Sequence, residues 1–583
     1  MDYRELYNEW LTNPYFDDNT KKELEAIEND DKEIEDRFYK ELEFGTAGLR
    51  GVIGAGTNRM NIYTVRKATQ GLANYIIKMH GEDKGVAIAY DSRHMSPEFA
   101  DEAALCLNAN GIKAYVFDSL RPTPELSFAV RELKCIAGIN VTASHNPAEY
   151  NGYKVYWEDG AQITPPHDVG IMDAVAALKD YNKVKTMDKD QAVADGLYIQ
   201  IGKEVDDKYI EILKTQVKNP DAIKEVQKDI KIVYTPLHGT GNIPVRRVLK
   251  ELGFENVYVV KEQELPDGDF PTVGYPNPES AKAFELAVKL GNEVGADLLL
   301  ATDPDADRLG VYVKGSKPGT YHILTGNMSG CLLAEYEISQ LKEKGQLPSD
   351  GTFIKSIVST NLANDIAKYY NINLFEVLTG FKYIGEKMLD FEVNHTGTYV
   401  FGFEESYGCL IGTHARDKDA IVASMALCEA AAYYKTKGMS LWDKMKEMYE
   451  RYGYWSDGVQ SIELKGKEGI EKIQNTLEKL RENVPTTVDN YKVLSVRDYL
   501  ADTVTNMETG DVTTTGLPKS NVLYLDLSEC AWVCIRPSGT EPKLKFYYGV
   551  KGENFDDSKA KLADLGSYMI NMEIGRASCR ERV

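Results

Sequence analysis

Short apolar strands alternate with longer amphipathic helices over most of the 583-residue chain, and no other feature limits the possible folds as strongly. Segments 86–90 and 114–117 are strand-like apolar runs that flank a helical segment at about 97–110. The same order returns at 230–234 and 257–260, again with a helical segment between them. Alternation of this kind predicts α/β units with mixed, mainly parallel sheets.

The last quarter of the chain has a different pattern. Apolar strands at 522–525, 531–534 and 544–548 follow one another directly, and two helical segments accompany them. This order predicts a smaller α+β domain with antiparallel pairing. At roughly 150 residues per domain, we expect three α/β domains and one α+β domain, at 1–205, 206–323, 324–453 and 454–572.

Both ends of the chain carry expectations of their own. Residues 1–43 are charged and helical in pattern, which predicts a solvated helical arm in front of the first domain. Residues 573–583 follow a helix abruptly and resemble translated adapter DNA, so we expect a non-native tail. The alternative for these last residues is a natural basic tail.

Composition narrows the function classes. The chain has 90 acidic and 68 basic residues and a net charge of −22, which argues against nucleic acid as the main partner. A small anionic substrate remains compatible, since it needs only a local cationic pocket. No segment is long and apolar enough for a membrane span, and the acidic N-terminus predicts no signal peptide. Eight cysteines without paired spacing indicate a reducing, cytoplasmic location.

The first candidate reactive loop is Thr142-Ala-Ser-His-Asn-Pro147, directly after the strand at 136–141. The carboxyl ends of parallel strands are where α/β folds present reactive groups, so Ser144 and His145 are candidate catalytic residues. Ser144 is not a hydrolase nucleophile, because glycines do not flank it. Lys154 follows closely enough to lie near this loop. The competing interpretation is an ordinary turn before proline.

The second candidate is Thr302-Asp-Pro-Asp-Ala-Asp-Arg308, after the apolar strand at 297–301. Aspartates at alternate positions repel one another unless a cation screens them, and their oxygens suit a hard divalent metal. We therefore predict metal binding by Asp303, Asp305 and Asp307. An EF-hand is excluded because Arg308 stands where that loop needs glycine. Arg308 is instead expected to face a phosphoryl oxygen beside the metal.

Two further loops are predicted to bind substrate. Arg536-Pro-Ser-Gly-Thr-Glu-Pro542 follows a strand and combines a guanidinium, hydroxyls and turn N–H groups, which suits a phosphate. Gly402-Phe-Glu-Glu-Ser-Tyr-Gly408 also follows a strand, and its carboxylates and hydroxyl suit sugar hydroxyl groups. A glycine-rich segment at 52–57 lacks the third glycine of a dinucleotide loop, and the ATP-binding P-loop pattern does not occur.

Together and in this order, the loops resemble those of the α-D-phosphohexomutase superfamily, in particular its phosphoglucomutase branch. The resemblance extends from Gly45 to the last helix, and each of these loops is similar to a functional loop of the superfamily. These are the phosphoserine loop at 142–147, the magnesium loop at 303–307, sugar loops at 379–385 and 402–408, and the phosphate loop at 536–540, with further matches at 45–50, 91–93 and 235–240. The resemblance implies four domains around a central cleft, of which the fourth is the more mobile.

The resemblance also implies roles for individual residues. A phosphorylated Ser144 exchanges its phosphoryl group with a sugar phosphate through a sugar 1,6-bisphosphate, with His145 or Lys154 as proton carrier. The implied ligands of Mg²⁺ are Ser144, Asp303, Asp305 and Asp307. The residues implied to stabilise the transferred group are Arg50, Lys154 and Arg308. The implied substrate contacts are Thr379, Gly380, Lys382, Glu404, Ser406, Arg536, Ser538, Gly539 and Thr540.

The resemblance leaves the sugar open. Glucose 1- and 6-phosphate are the expected substrates, and the nearest alternative is a phosphopentomutase or phosphomannomutase with the same chemistry. A catalytically silent phosphosugar-binding protein and a metal-dependent sugar phosphatase are the other hypotheses. The intact Ser144 and the three aspartates argue against the silent binding protein. We expect a monomer or homodimer that acts on a small phosphosugar, with neither nucleic acid nor membrane as a partner.

Overall fold

The computed structural model of the protein describes residues 2–44, 48–317, 319–463, 466–537 and 543–578. The chain forms two compact units. The first comprises Met1–Gly326, Phe381–Gly402 and Ser406–Leu441, and the second comprises Asn327–Gly380, Phe403–Glu405 and Trp442–Val583. The predicted division into four domains at 205, 323 and 453 stays a prediction. Among the described residues, no helix has the length and apolarity that crossing a membrane requires.

The predicted N-terminal arm is helical, but the expectation that it is solvated was wrong. Its helices are α1 (Tyr3–Thr12), α2 (Asp18–Glu25) and α3 (Asp31–Phe38). Trp10 is fully buried, stacks on Phe16 with ring centroids 4.2 Å apart and meets the edge of Tyr63 at 5.6 Å. Apolar residues at helical spacing stand between the charged residues of the arm, and they pack as a cluster in the first unit.

The first sheet carries the predicted serine loop. The elements of this region are β1 (Gly48–Val52), α4 (Ile62–Lys78), β2 (Val86–Tyr90), α5 (Ser96–Ala109), β3 (Ala114–Phe117), α6 (Thr123–Glu132), β4 (Ala137–Val141), β5 (Tyr150–Trp157), α7 (His167–Ala176), α8 (Lys189–Ala194) and β6 (Tyr198–Ile201). The strand order is β1-β5-β4-β2-β3-β6. β4, β2, β3 and β6 run parallel, whereas β5 and β1 are antiparallel to their neighbours. β4 is buried along its length, as expected for a central strand covered on both faces.

The second sheet carries the predicted metal loop. Its region contains α9 (Lys203–Lys214), α10 (Pro220–Val226), β7 (Lys231–Thr235), α11 (Asn242–Glu251), β8 (Asn256–Val259), α12 (Glu285–Val294), β9 (Leu298–Thr302), β10 (Leu309–Lys314) and β11 (Tyr321–Leu324). The strand order is β11-β10-β9-β7-β8, parallel at β9-β7-β8 and antiparallel at β10 and β11. The aspartate loop is the connection between β9 and β10, where Thr302 lies opposite Leu309.

The next region is divided between the two units. It contains α13 (Gly326–Glu343), β12 (Gly351–Ser356), α14 (Leu362–Tyr370), β13 (Asn373–Val377), α15 (Phe381–Asn394), β14 (Thr398–Glu404), β15 (Gly408–Ile411), α16 (Ala420–Thr436) and α17 (Leu441–Tyr452). In the second unit β12 pairs with β13 in parallel. The strand–helix alternation of the two preceding regions therefore continues here.

The C-terminal region is rich in antiparallel strands. It contains β16 (Tyr454–Glu463), α18 (Gly466–Glu482), β17 (Thr487–Val488), β18 (Tyr491–Asp498), β19 (Thr503–Asn506), β20 (Val512–Thr513), β21 (Leu523–Leu527), β22 (Trp532–Pro537), β23 (Lys543–Gly552) and α19 (Phe555–Ser578). The main strand order is β16-β23-β22-β21-β18-β19-β20. Three α/β regions followed by this sheet confirm the predicted fold class. α19 continues into the segment that was predicted as a tail.

Candidate active site

The three loop aspartates of the first unit bring their carboxylates together. Asp303, Asp305 and Asp307 are buried, and one oxygen of each lies within 4.8 Å of the others. Burial raises the pKa of Asp303 well above its ordinary range, and the charges of its two neighbours add to the effect. Such a cluster is costly without positive charge close to it.

Hydrogen bonds from the protein hold Oδ1 of Asp303 and Oδ2 of Asp305. Asp303 Oδ1 accepts the backbone N–H groups of Asp307 and Arg308 at 3.1 and 3.0 Å. Asp305 Oδ2 accepts Lys154 Nζ at 2.7 Å. Oδ1 of Asp305 and Oδ1 of Asp307 are buried and have no hydrogen-bond partner among the residues that the structure describes. Unpartnered, buried carboxylate oxygens are the donor set that a hard divalent cation requires, so the residues fit a metal.

Ser144 faces this cluster from the loop after β4. Its Oγ donates to Asp303 Oδ2 at 2.8 Å and lies 3.1 Å from His145 Nδ1. The backbone of Ser144 has φ of +53°, in the left-handed region that residues other than glycine rarely occupy. Such strain persists only where the surroundings impose it, and it is frequent at reactive positions.

Arg93 imposes that loop conformation. Its guanidinium is fully buried and donates to the carbonyl oxygens of Ser144 at 2.6 Å, Pro147 at 2.8 Å and Tyr150 at 3.1 Å, and also to that of Asn146. Four carbonyls of one loop thus converge on a single planar group. Because these bonds are charge-assisted, they are stronger than neutral ones and fix the loop firmly.

Asp91 supports the same loop from behind. Its Oδ2 lies 3.3 Å from Arg93 Nε and accepts the Thr142 hydroxyl at 2.6 Å. The Thr142 oxygen in turn accepts the Ser144 N–H at 2.8 Å. The backbone N–H of Ser144, through Thr142, and its carbonyl oxygen are therefore both linked to the buried ion pair of Asp91 and Arg93.

Cationic side chains surround the serine and the aspartates. Lys154 also lies 3.7 Å from Asp307 Oδ2; burial opposes its charge, but the charges of Asp305 and Asp307 raise its pKa. Arg50 donates to Asn146 Oδ1 at 3.2 Å, two residues after Ser144. Arg308 pairs with Glu279 at 2.8 Å and lies 3.9 Å from Asp307. The first unit thus brings the predicted phosphoryl-handling residues together.

Burial lowers the pKa of His145 well below its ordinary value, and the charges of Arg308 and Arg50 lower it further. Its ring packs edge-on against Tyr275, with centroids 5.7 Å apart. A neutral imidazole beside Ser144 Oγ can accept a hydrogen bond or a proton.

In the second unit, the two predicted sugar loops meet. Glu404 is buried, and its Oε1 accepts the N–H of Gly380 at 2.7 Å. The Thr379 hydroxyl is buried, and no described residue forms a hydrogen bond with it. The same loop carries Glu405, whose Oε2 accepts the Ser356 hydroxyl at 2.9 Å. These polar groups lie at the ends of β12, β13 and β14, where α/β sheets bind ligands.

The other predicted substrate contacts are placed as follows. Lys382 is the second residue of α15 and Ser406 follows β14, both within the first unit, and burial lowers the pKa of Lys382. Arg536 lies near the end of β22 in the second unit. The predicted contacts Ser538, Gly539 and Thr540 lie outside the described residues.

Comparison with known proteins decides the family. Three consecutive segments, 41–182, 207–317 and 325–452, match α/β/α domains I, II and III of phosphoglucomutase/phosphomannomutase. A phosphoglucomutase of Staphylococcus epidermidis is 39% identical over 536 residues, which is 90% of this chain and 93% of the relative. The chain belongs to the phosphoglucomutase/phosphomannomutase family. It is therefore a phosphosugar mutase, as its loops predicted.

Further relatives agree with this assignment. A phosphoglucomutase of Staphylococcus aureus (strain USA300) is 38% identical to this chain. The match covers 91% of this chain and 94% of the relative. A putative phosphomannomutase structure from Thermus thermophilus has a TM-score of 0.68 at 22% identity, with 91% and 99% of the two chains covered. The open form of pp63/parafusin from Paramecium gives 0.67 at 18% identity, with 91% and 96% covered. These two structures show a shared fold.

Sequence reasoning missed several residues of the mutase site. Lys418 Nζ lies 3.2 Å from Asp307 Oδ2. Thr123 donates from Oγ1 to Asp305 Oδ2 at 2.8 Å. Arg93 was noted only as part of a matching segment and not as a site residue. The charged run at 416–419, shortly after an apolar strand, was the available signal for Lys418.

Replacing Arg93 with methionine is expected to destabilise the mutase by about 3–5 kcal/mol, because Asp91 is left as an uncompensated buried charge. Turnover should fall as well, because the Ser144 loop loses its anchor. Urea unfolding followed by circular dichroism measures the change. Arg247→Met is the control; that arginine is partly exposed in helix ion pairs, and its loss should cost under about 1 kcal/mol. Equal stability of the two variants would contradict the assigned role of Arg93.

Glu405 should make the stability of the mutase depend on pH. Burial, together with the charge of Glu404, raises the pKa of Glu405 to about 7. The unfolded chain releases this proton at about pH 4, so stability is greatest at low pH and falls as pH rises toward 7. Glu405→Gln removes the ionisable group, and at pH 8 the variant should be more stable than wild type by up to about 3 kcal/mol.

Urea unfolding at pH 5 and pH 8 measures this difference, which should be much smaller at pH 5. Glu450→Gln is the matched control, since Glu450 is exposed on α17 and in the same unit. A Glu405→Gln variant that is no more stable than wild type at pH 8 would contradict the assignment.

Proposed function

We propose that the protein is a phosphoglucomutase that interconverts α-D-glucose 1-phosphate and glucose 6-phosphate, with phosphorylated Ser144 as the phosphoryl donor. The observation that carries the proposal is the 2.8 Å bond from Ser144 Oγ to Asp303, inside a buried cluster of three carboxylates. A serine that served only to form a turn would not be expected to contact a buried cluster of carboxylates. The relatives named phosphoglucomutase, at 35–39% identity, support glucose as the sugar.

We propose Mg²⁺ as the metal, held by Asp303, Asp305 and Asp307 together with the phosphorylated Ser144. The unpartnered Oδ1 atoms of Asp305 and Asp307 support this assignment. When bound, the ion supplies positive charge that offsets the charge of the phosphoryl oxygens. Lys418 and Lys154 would balance the remaining negative charge of the aspartates.

The chain's own residues account for the transfer. The bond between Ser144 Oγ and phosphorus breaks, and a bond forms from the free hydroxyl oxygen of the sugar phosphate to phosphorus. The hydroxyl proton passes to a base, and Ser144 Oγ takes up a proton as it leaves. Arg50 and Arg308 stabilise the charge on the transferred group. The product of this half is glucose 1,6-bisphosphate. After it turns end for end, its other phosphoryl group returns to Ser144.

Two residues are candidates for the proton carrier. His145 Nδ1 lies 3.1 Å from Ser144 Oγ, within the reach that proton transfer needs. Lys154 is engaged by Asp305 and Asp307, which keep it charged. This contrast supports His145 as the base that takes the Ser144 hydroxyl proton when a phosphoryl group returns to Ser144, with Lys154 as a fixed positive charge beside it.

Substrate recognition is proposed to divide between sugar and phosphate loops. Thr379, Gly380, Lys382, Glu404 and Ser406 would read the sugar hydroxyls. The residues proposed to hold the phosphate that is not transferred are Arg536, Ser538, Gly539 and Thr540. A carboxylate already fixed by a backbone N–H, as Glu404 is by Gly380, can accept a sugar hydroxyl without reordering.

Ser144 is only 3% exposed, which limits the access of water to the phosphoryl group. Exclusion of water is what separates a mutase from a phosphatase with the same donor. We further propose a cytoplasmic monomer or homodimer, in line with the composition.

A coupled assay that compares glucose, mannose and ribose 1-phosphates, with a trace of the matching bisphosphate, tests the substrate. We expect kcat/KM for glucose 1-phosphate to exceed the other two by at least about tenfold, since a few well-placed hydroxyl contacts discriminate that strongly. Faster turnover of ribose or mannose 1-phosphate would make the protein a phosphopentomutase or phosphomannomutase, and release of inorganic phosphate alone would make it a phosphatase.

A further inference from the structure

Thr123 joins the start of α6 to the aspartate loop. Its hydroxyl donates to Asp305 Oδ2 at 2.8 Å, and its backbone N–H donates to the Asp305 carbonyl oxygen at 2.9 Å. Thr123 and Asp305 are both fully buried. One residue therefore fixes both the main chain and the side chain of Asp305, although 182 positions separate the two in the sequence.

The bond from Thr123 decides which oxygen of Asp305 is engaged. Oδ2 accepts both Thr123 Oγ1 and Lys154 Nζ, at 2.8 and 2.7 Å. Oδ1 is buried and has no hydrogen-bond partner within the described part of the chain, and it belongs to the carboxylate that converges with Asp303 and Asp307. A carboxylate held at one oxygen by two donors cannot rotate freely, so its other oxygen keeps one direction.

Asn140 in turn directs the Thr123 hydroxyl. Its Nδ2 donates to Thr123 Oγ1 at 2.6 Å, so the Thr123 proton is left for Asp305. Asn140 lies on β4, directly opposite Lys154 on β5. Lys154 therefore reaches Asp305 from β5, while Asn140, which is itself fully buried, supports Thr123 from the adjacent β4.

We propose that Thr123, supported by Asn140, is a positioning residue that presents Oδ1 of Asp305 to the metal. This inference rests on the proposed metal site at the three aspartates. Loss of a hydrogen bond to a metal ligand typically weakens metal binding by about 10–100-fold. Thr123 touches neither substrate nor the transferred group in this scheme, so its effect should appear in metal affinity first.

The test uses electron paramagnetic resonance to measure the binding of Mn²⁺ to the purified full-length chain in the absence of substrate. Thr123→Val keeps the shape and removes the hydroxyl, and we expect it to bind Mn²⁺ about 10–100-fold more weakly than wild type. Thr123→Ser keeps the hydroxyl and should bind close to wild type. Asn140→Leu should weaken binding in the same direction. Thermal unfolding of each variant identifies any that do not fold.

Folded Thr123→Val that binds Mn²⁺ as tightly as wild type would overturn the inference, as would a Thr123→Ser variant that is weakened equally. Failure of the proposed metal site looks different. In that case wild type itself would bind no Mn²⁺, or Asp303→Asn would bind it unchanged, and the inference would fall with the site. If Thr123→Val did not fold, Asn140→Leu with wild-type affinity would be the contradicting result.

Discussion

Replacing Ser144 with alanine is expected to abolish mutase turnover, with a loss of at least about 1,000-fold in kcat, while the fold is retained. Removal of a nucleophile or group carrier typically has an effect of this size, because the covalent intermediate can no longer form. The oxygen that is lost donates a single bond to Asp303, so stability should change little. A coupled assay with glucose 1-phosphate and the bisphosphate measures the turnover.

Ser567→Ala provides the matched control, because this serine is exposed on α19 and its hydroxyl bonds only within the helix. It should keep full activity. Ser144→Ala with near wild-type turnover would exclude a phosphoserine mechanism. A folded Ser144→Ala variant that still binds sugar phosphate would place the defect in the chemical step.

Asp305→Asn is expected to lower the rate at saturating substrate by at least about 100-fold and to raise the Mg²⁺ concentration needed for half-maximal activity. The substitution removes one negative charge from the three-aspartate cluster. It also removes the partner that, against the effect of burial, keeps Lys154 charged. Initial rates over a Mg²⁺ titration, starting from chelator-treated enzyme, measure both effects.

Asp173→Asn controls for the loss of an acidic charge, since Asp173 is exposed on α7 in the same unit. Its Mg²⁺ dependence should match wild type. An Asp305→Asn enzyme with the wild-type Mg²⁺ curve, or a wild type that is fully active in chelator, would contradict the metal assignment.

Local sequence pattern was enough to predict strands of the first sheet, which also carries the serine loop. The segments 86–90 and 114–117 became β2 and β3 without a change of boundary, because apolar runs between turn residues have few alternatives. The clustering of the aspartates was equally readable, since three carboxylates at alternate positions of one short loop lie close together. Ser144 was ambiguous alone and became informative only beside the other loops.

The residues that hold the site in place could not be read from local pattern. Thr123 meets Asp305, and Lys418 meets Asp307, only after separate sheets have packed. The pairing of Arg308 with Glu279 depends in the same way on a loop far from the aspartates in sequence. Tertiary contacts of this kind leave no periodic pattern in the sequence, because such a contact does not restrict which residue types stand next to either partner in the chain.

For the N-terminal arm, the sequence pattern itself led to the wrong prediction that the arm is solvated. Its charged residues dominated the pattern, and the apolar positions between them were taken as incidental. Trp10, Phe16 and Phe38 instead form the centre of a packed cluster. A hydrophobic stripe narrower than the charged face is enough to bury a short helix when aromatic residues supply the area.

The most direct test of the central claim is the phosphorylation state of Ser144. Purified wild type would be incubated with glucose 1,6-bisphosphate and Mg²⁺ and digested, and its peptides would be analysed by tandem mass spectrometry. The account predicts one added phosphoryl group on Ser144, which disappears when excess glucose 1-phosphate accepts it. A phosphoryl group on another residue, or turnover by an enzyme whose Ser144 is never phosphorylated, would contradict it.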